Sequence, residues 1–146
     1  MSLPPIVGLV TLGVDDVPRA AGFYRRLGWP VAAEESPDFC VFRTGGALLA
    51  LYGRHDLAVD AGRPDDGQGF GAVALAINVA SPAAVDLGLA VAQEAGATIT
   101  KPAESTEWGG YSGYFTDPDG HAWEVAHNPF WPLSADGLPQ LPSSPR

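Results

Sequence analysis

The chain has little cysteine, few basic residues and no long apolar run. Its one cysteine, Cys40, can form no disulfide within the chain, and its apolar neighbours Phe39, Val41 and Phe42 favour a small buried side chain. No apolar run approaches the roughly 20 residues that span a membrane. The N-terminus carries neither the basic segment nor the apolar core of a secretory signal. These absences predict a cytoplasmic protein.

Positive charge is also scarce, since 8 Lys and Arg stand against 17 Asp and Glu. The resulting net charge of −9 argues against nucleic acid and anionic membranes as partners, because both require basic surfaces. The hydrophobic content of 46% is that of a globular protein, and 146 residues suffice for a single domain with its own core.

The order of predicted elements, β-α-β-β-β, occurs twice. Module one covers about residues 6–53, with a strand at 6–14 and a helix that Asp15 or Asp16 caps. A linker rich in Asp, Gly and Pro follows at 54–69. Module two covers about 70–127, where Ser81 caps a helix and a break at Lys101-Pro102 leaves the next strand shortened or looped out around 103–107. A proline-rich tail, residues 128–146, ends the chain.

The last predicted hairpin places one carboxylate in an unusual position. Pro118 and Gly120 favour a tight turn between strands near 111–116 and 121–126. In the returning strand Glu124 alternates with Trp123 and lies between alanines on its own face. A carboxylate in that position either faces water at an edge or has a role inside a cavity.

The opening segment 10–29 and the closing segment 113–125 resemble the vicinal oxygen chelate superfamily, which includes glyoxalase I, bleomycin-resistance proteins and extradiol dioxygenases. The stretches 108–111 and 127–131 resemble a bacterial subgroup of it. The resemblance implies an α+β fold in which two tandem β-α-β-β-β modules form a cupped mixed sheet with the helices outside. In metal-dependent members, a divalent ion lies in the cup.

The resemblance implies only one metal ligand here. Glu124 occupies the ligand position of the closing strand, while Leu9 and Ala74 fall near the two first-strand positions and cannot bind a metal. One carboxylate does not hold a transition metal, which needs about three or more donors. We therefore expect no cofactor, with one divalent metal ion as the alternative.

Aromatic residues supply the candidate ligand contacts. Trp108 and Tyr111 flank Gly109-Gly110 and suit a loop that covers a ligand, with packing of the core as the alternative. Glu124 is the predicted polar anchor or general acid or base; otherwise it is the relic of a lost metal site. The further predicted apolar walls, for which core or dimer packing is the competing explanation, are Phe42, Tyr52 and Trp131.

The leading hypothesis is a metal-free protein that binds a small aromatic or cationic molecule. The alternatives are a metal-dependent lyase, isomerase or dioxygenase, and a non-catalytic interaction module. We expect a homodimer, because such folds commonly pair modules across subunits and Phe130-Trp131 is too apolar to remain in water.

Overall fold

The structure, a computed structural model, describes residue 3 and residues 5–141. These residues form two compact units, divided between Asp66 and Gly67. Each unit contains one four-stranded sheet with parallel and antiparallel pairs. The predicted α+β class with two β-α-β-β-β modules is therefore confirmed.

The first unit holds the elements β1 (Leu9–Val14), α1 (Val17–Arg26), β2 (Val31–Ser36), β3 (Phe39–Phe42), β4 (Leu48–Gly53) and α2 (Arg54–Ala61). The strand order is β1-β4-β3-β2, and β1 runs parallel to β4. Asp16 caps α1, because its Oδ1 accepts from the backbone N–H of Arg19 at 3.0 Å. The core includes Phe42, whose ring lies 5.8 Å from that of Tyr24. Cys40 is buried here, as predicted, and this burial raises the pKa of its thiol.

The second unit repeats the connectivity with β5 (Ala74–Asn78), α3 (Pro82–Ala95), β6 (Thr98–Ser105), β7 (Tyr111–Thr116) and β8 (Ala122–His127). The order is β5-β8-β7-β6, with β5 parallel to β8. The predicted cap Ser81 accepts from the backbone N–H of Ala84 at 3.1 Å. Phe115 and Trp123 stack beside one another at 6.2 Å and form part of the core.

Three predicted boundaries are wrong. Residues 54–61 of the expected linker form α2, which ends at Gly62 in the left-handed conformation (φ 69°) that closes helices. The two leading strands begin at Leu9 and Ala74, later than predicted, because their neighbours β4 and β8 offer pairing partners only from Leu48 and Ala122 onward. Of the expected linker, only the part after Gly62 is free of regular secondary structure.

The shortened strand expected around 103–107 is also wrong. β6 continues from Thr98 to Ser105 through Pro102, with irregular register on both sides of Lys101. Because β6 is the edge strand of its sheet, a proline without an N–H costs no ladder bond there. In the tail, Leu133 and Pro139 form an isolated bridge, and residues 142–146 of the predicted tail lie outside the described residues.

Within residues 3 and 5–141, no helix combines the length and apolarity that a membrane crossing requires. The cytoplasmic location stays a prediction.

Candidate functional site

The second sheet presents two different faces. One face is covered by α3, because a Cβ on Gly113 would lie 2.6 Å from Leu89 Cδ1 and a Cβ on Gly88 would lie 3.2 Å from Val125 Cγ1. Side chains alternate along a strand, so Glu124, next to Val125, points to the opposite face. We call this the Glu124 face, and its middle is formed by Glu124, Tyr114 and their neighbours in β5 to β8.

Four side chains form one row across the Glu124 face. The register pairs Ala76 of β5 with Glu124 of β8, Glu124 with Tyr114 of β7, and Tyr114 with Lys101 of β6. Side chains at paired positions lie on the same face of a sheet. Glu124 and Tyr114 are half-buried, whereas Ala76 and Lys101 are exposed. A carboxylate, a phenol and an ammonium group thus follow one another on adjacent strands.

The phenol of Tyr114 is tied to the carboxylate beside it. Burial, the negative charge of Glu124 and a hydrogen bond to Glu124 raise the pKa of Tyr114, and the positive charge of Lys101 opposes the shift. Tyr114 is therefore a neutral donor to the Glu124 carboxylate. A carboxylate has about four acceptor positions, so one donor leaves acceptor capacity for a ligand.

Tyr114 is not among the predicted site residues, although the hairpin register indicates its position. A tight hairpin turn that pairs Thr116 with Ala122 requires Tyr114 to pair with Glu124 two positions further along. The turn itself is held by Asp117, a buried carboxylate whose Oδ1 accepts from the backbone N–H groups of Asp119 and His121 at 3.0 and 2.9 Å.

Trp108 lies at the end of the Glu124 face. The face continues from Glu124 to the buried pair Ser112 and Ala126 and then to Gly110, two residues before Ser112. A Cβ on Gly110 would lie 1.9 Å from Trp108 Cζ3, so the indole ring covers this glycine. Trp108 as a whole remains 47% exposed.

Tyr111 does not join Glu124. Its hydroxyl donates to Asp86 Oδ1 of α3 at 2.8 Å, which places the ring on the helix side of the sheet. This hydrogen bond is the largest cause of the raised pKa of Tyr111. Trp131 lies in the turn after β8, with its backbone N–H donating to the Asn128 carbonyl at 3.2 Å. Trp131 is 39% exposed and follows the end of β8 by four residues.

The remaining two predicted contacts belong to the first unit. Phe42 is fully buried and packs against Tyr24, which agrees with its alternative explanation as a core residue. Tyr52 is half-buried, and its ring makes an edge contact with Phe39 at 5.6 Å between centroids.

The donors around Glu124 do not fit a metal ion. Register places Ala76 beside Glu124 and Ala74 beside Ala122, while Leu9 pairs with Leu48 in the first unit. No group of three or more His, Cys, Asp or Glu comes together anywhere in the described part of the chain. One carboxylate with a neutral phenol falls short of the three protein donors that a transition metal requires.

The family model described as Glyoxalase/Bleomycin resistance protein/Dioxygenase superfamily matches residues 6–125. The chain therefore belongs to this superfamily. Among solved structures, it is 33% identical to a glyoxalase-related enzyme from Fulvimarina pelagi, with a TM-score of 0.87, covering 96% of this chain and 100% of that one. No curated protein matches the chain.

Two more distant structures share the fold. One is a glyoxalase/bleomycin resistance protein/dioxygenase family enzyme from Burkholderia phytofirmans, with 22% identity and a TM-score of 0.73 over 84% of this chain and 98% of that one. The other is a lactoylglutathione lyase from Agrobacterium tumefaciens, with 21% identity and a TM-score of 0.68 over 90% of this chain and 100% of that one. At these identities, the likeness concerns the fold alone.

Proposed function

We propose that this protein binds a small cationic or N–H-donating molecule on the Glu124 face, with Glu124 as the polar anchor and without a metal ion. The observation that carries the proposal is the half-buried Glu124 carboxylate, which receives the Tyr114 phenol but has no basic side chain paired with it in the register. A ligand ammonium or N–H group would supply the missing counterpart.

The surroundings of Glu124 suit a ligand of modest size. Its neighbours Ala76 and Ala122 on this face have small side chains, and Ala76 is exposed, so neither of them covers the carboxylate. Trp108 adds an exposed aromatic surface at one end of this face, suited to stacking on a ring or contacting a cation. The net charge of −9 attracts cations from solution.

Titration with a matched pair of ligands tests the proposal. We expect 2-phenylethylamine to bind, and 2-phenylethanol, its neutral counterpart, to bind at least tenfold more weakly. Glu124→Gln should weaken amine binding about tenfold, which corresponds to roughly 1.4 kcal/mol. Glu94→Gln is the matched control, because it removes an exposed carboxylate from α3 in the same unit. Its dissociation constant should equal that of the unaltered protein.

Two results would contradict the proposal. Equal amine binding by Glu124→Gln and the unaltered protein would remove Glu124 from the site. A near-stoichiometric divalent metal in protein purified without chelators, lost in Glu124→Gln, would restore the metal-dependent lyase, isomerase or dioxygenase hypothesis. Neither result depends on knowing the natural ligand.

We further propose a homodimer. β1 is an edge strand with one paired side, and the chain around it exposes Ile6 (78%), Val7 (71%) and Leu9 (47%). A second copy would cover this apolar edge. Light scattering should give twice the chain mass of 15.2 kDa, and Leu9→Lys should give the monomer mass. Val59→Lys, which alters an exposed apolar residue on α2, should remain dimeric.

A further inference from the structure

Lys101 lies in the same row as the anchor carboxylate. It pairs with Tyr114, which pairs with Glu124, and the three residues occupy the adjacent strands β6, β7 and β8. Neighbouring strands are about 4.8 Å apart, so the backbones at Lys101 and Glu124 are separated by about 10 Å. The two charged side chains thus flank the Tyr114 hydroxyl, which responds to both charges.

The charge of Lys101 is exceptional in its surroundings. Residues 67–141, the described part of the second unit, contain eight Asp and Glu but no Lys or Arg other than Lys101. A single ammonium group therefore lies on the same face, and in the same row, as the proposed ligand anchor.

Within the protein, the Lys101 ammonium group makes an exposed ion pair with Glu104. Lys101 Nζ lies 3.3 Å from Glu104 Oε1, and the two side chains are 58% and 60% exposed. Exposed pairs of this kind contribute only about 0–1 kcal/mol. An ammonium group has three N–H donors, and this one exposed contact leaves Lys101 able to receive an anion.

We infer that Lys101 is the second pole of the Glu124 site, and that the ligand is a zwitterion: an amino compound that also carries a carboxylate or phosphate. This inference rests on the proposed function. The ligand's ammonium group binds Glu124, its anionic group binds Lys101, and the part between them crosses Tyr114. Because the backbones that carry the two charged side chains are about 10 Å apart, the ligand's charged ends must be several ångströms apart to reach both.

Three probes of equal chain length test the inference. 6-Aminohexanoate carries both charges, hexylamine carries only the positive charge, and hexanoate carries only the negative charge. Amide chemical-shift titrations at pH 7 and constant salt give their dissociation constants. We expect 6-aminohexanoate to bind at least fivefold more tightly than hexylamine, and hexanoate to bind most weakly.

Substitutions of Lys101 test whether this residue causes the preference for 6-aminohexanoate over hexylamine. Lys101→Met should abolish the preference for 6-aminohexanoate over hexylamine without weakening hexylamine. Lys101→Arg should retain the preference, because it keeps the charge. Lys101 is exposed, so neither change removes buried contacts, and an unchanged amide spectrum away from β6 checks the fold.

The outcomes separate the inference from the proposed function. If hexylamine binds as tightly as 6-aminohexanoate, or if Lys101→Met keeps the preference, the inference is wrong. Hexylamine binding that Glu124→Gln weakens would then still support the proposed function. If no probe shows binding that depends on Glu124, both are wrong.

Discussion

The two units of this protein share one connectivity but differ at the same position of the same strand. Ala50 is the third residue of β4 and pairs with Thr11 and Val41. Glu124 is the third residue of β8 and pairs with Ala76 and Tyr114. The row of the first unit contains no ionisable side chain at these three positions, whereas the row of the second contains a carboxylate and a phenol.

This difference shows that the topology itself needs no charge at that position. Ala50 is fully buried, and its strand neighbours Leu49 and Leu51 are buried as well. Glu124 is half-buried and receives a hydrogen bond from Tyr114. The first unit forms the same sheet from apolar packing, so the fold does not require the charged row of the second unit, and this supports the proposed ligand site.

The largest expected effect comes from transferring the charge between the units. Ala50→Glu would bury a carboxylate without a partner, and we expect a loss of about 3–5 kcal/mol in the free energy of unfolding. Glu124→Ala should change it by less than about 1 kcal/mol, because the carboxylate is only partly buried and its removal leaves no buried charge. Urea denaturation followed by circular dichroism measures both.

Ala50→Ser is the control, since it adds a small polar group without a charge and should cost less than Ala50→Glu. If Ala50→Glu were as stable as the unaltered protein, the two rows would be equivalent environments. The charged row of the second unit would then not be specialised relative to the row of the first.

The second-largest expected effect comes from the residue that precedes the middle row in β7 and in β3, where the side chain faces the helix. Gly113 of β7 pairs with Val125, and Cys40 of β3 pairs with Leu51. A Cβ at Gly113 would lie 2.6 Å from Leu89 Cδ1 and also close to the backbone of β6, so Gly113→Ala should cost about 1–3 kcal/mol. Cys40→Ala removes one sulfur atom and should cost about 1 kcal/mol. If Gly113→Ala were as stable as the unaltered protein in urea denaturation, Leu89 and the backbone of β6 would not lie as close to Gly113 as the structure shows.

Much of the fold follows from local signals in the sequence. Asp16 and Ser81 start their helices where the capping pattern predicts, and Gly120 adopts the predicted positive φ of 87°. The alternation in β8 assigns Glu124 to its face without knowledge of the other strands. These signals are local, so the sequence contains them in full.

The errors concern properties that arise between elements. Pro102 looks like a strand break until its strand is known to be an edge. Tyr111 neighbours the glycine loop in sequence, but its partner Asp86 belongs to α3, so only helix packing decides its side. Tyr114, by contrast, follows from hairpin register and was predictable.

A smaller effect sharpens the link between Glu124 and Tyr114. The folded protein holds the pKa of Tyr114 above its unfolded value of about 10, so the stabilisation is complete below pH 10 and is lost as the pH rises through the higher folded pKa. Tyr114→Phe should lack this alkaline loss, whose size we expect to stay below about 1 kcal/mol because solvent screens a partly buried group. Denaturation between pH 8 and 11.5 measures the difference.

Glu124→Gln separates charge from burial in this effect. It removes the negative charge that favours the neutral phenol, and the ultraviolet titration of Tyr114 should then shift to lower pH. Tyr111 should titrate as before, because its hydrogen bond to Asp86 lies on the other side of the sheet. An unchanged Tyr114 titration in Glu124→Gln would show that the two side chains are not coupled.

The smallest expected effect tests whether Trp108 belongs to the charged face of the second unit. Gly110→Ala places a methyl group where the indole ring now lies and 2.7 Å from the His127 carbonyl oxygen, so the ring must move and the end of β8 must adjust. We expect a shift of the tryptophan emission that is absent when Trp108→Phe is introduced as well. Gly71→Ala is the control, because no atom lies within 4 Å of its added Cβ, and its emission should stay unchanged. If the Trp108 ring also stacks on the ligand, 2-phenylethylamine should bind more weakly to Gly110→Ala than to the unaltered protein. Unchanged binding despite a shifted emission would confine the site to Glu124 and its row.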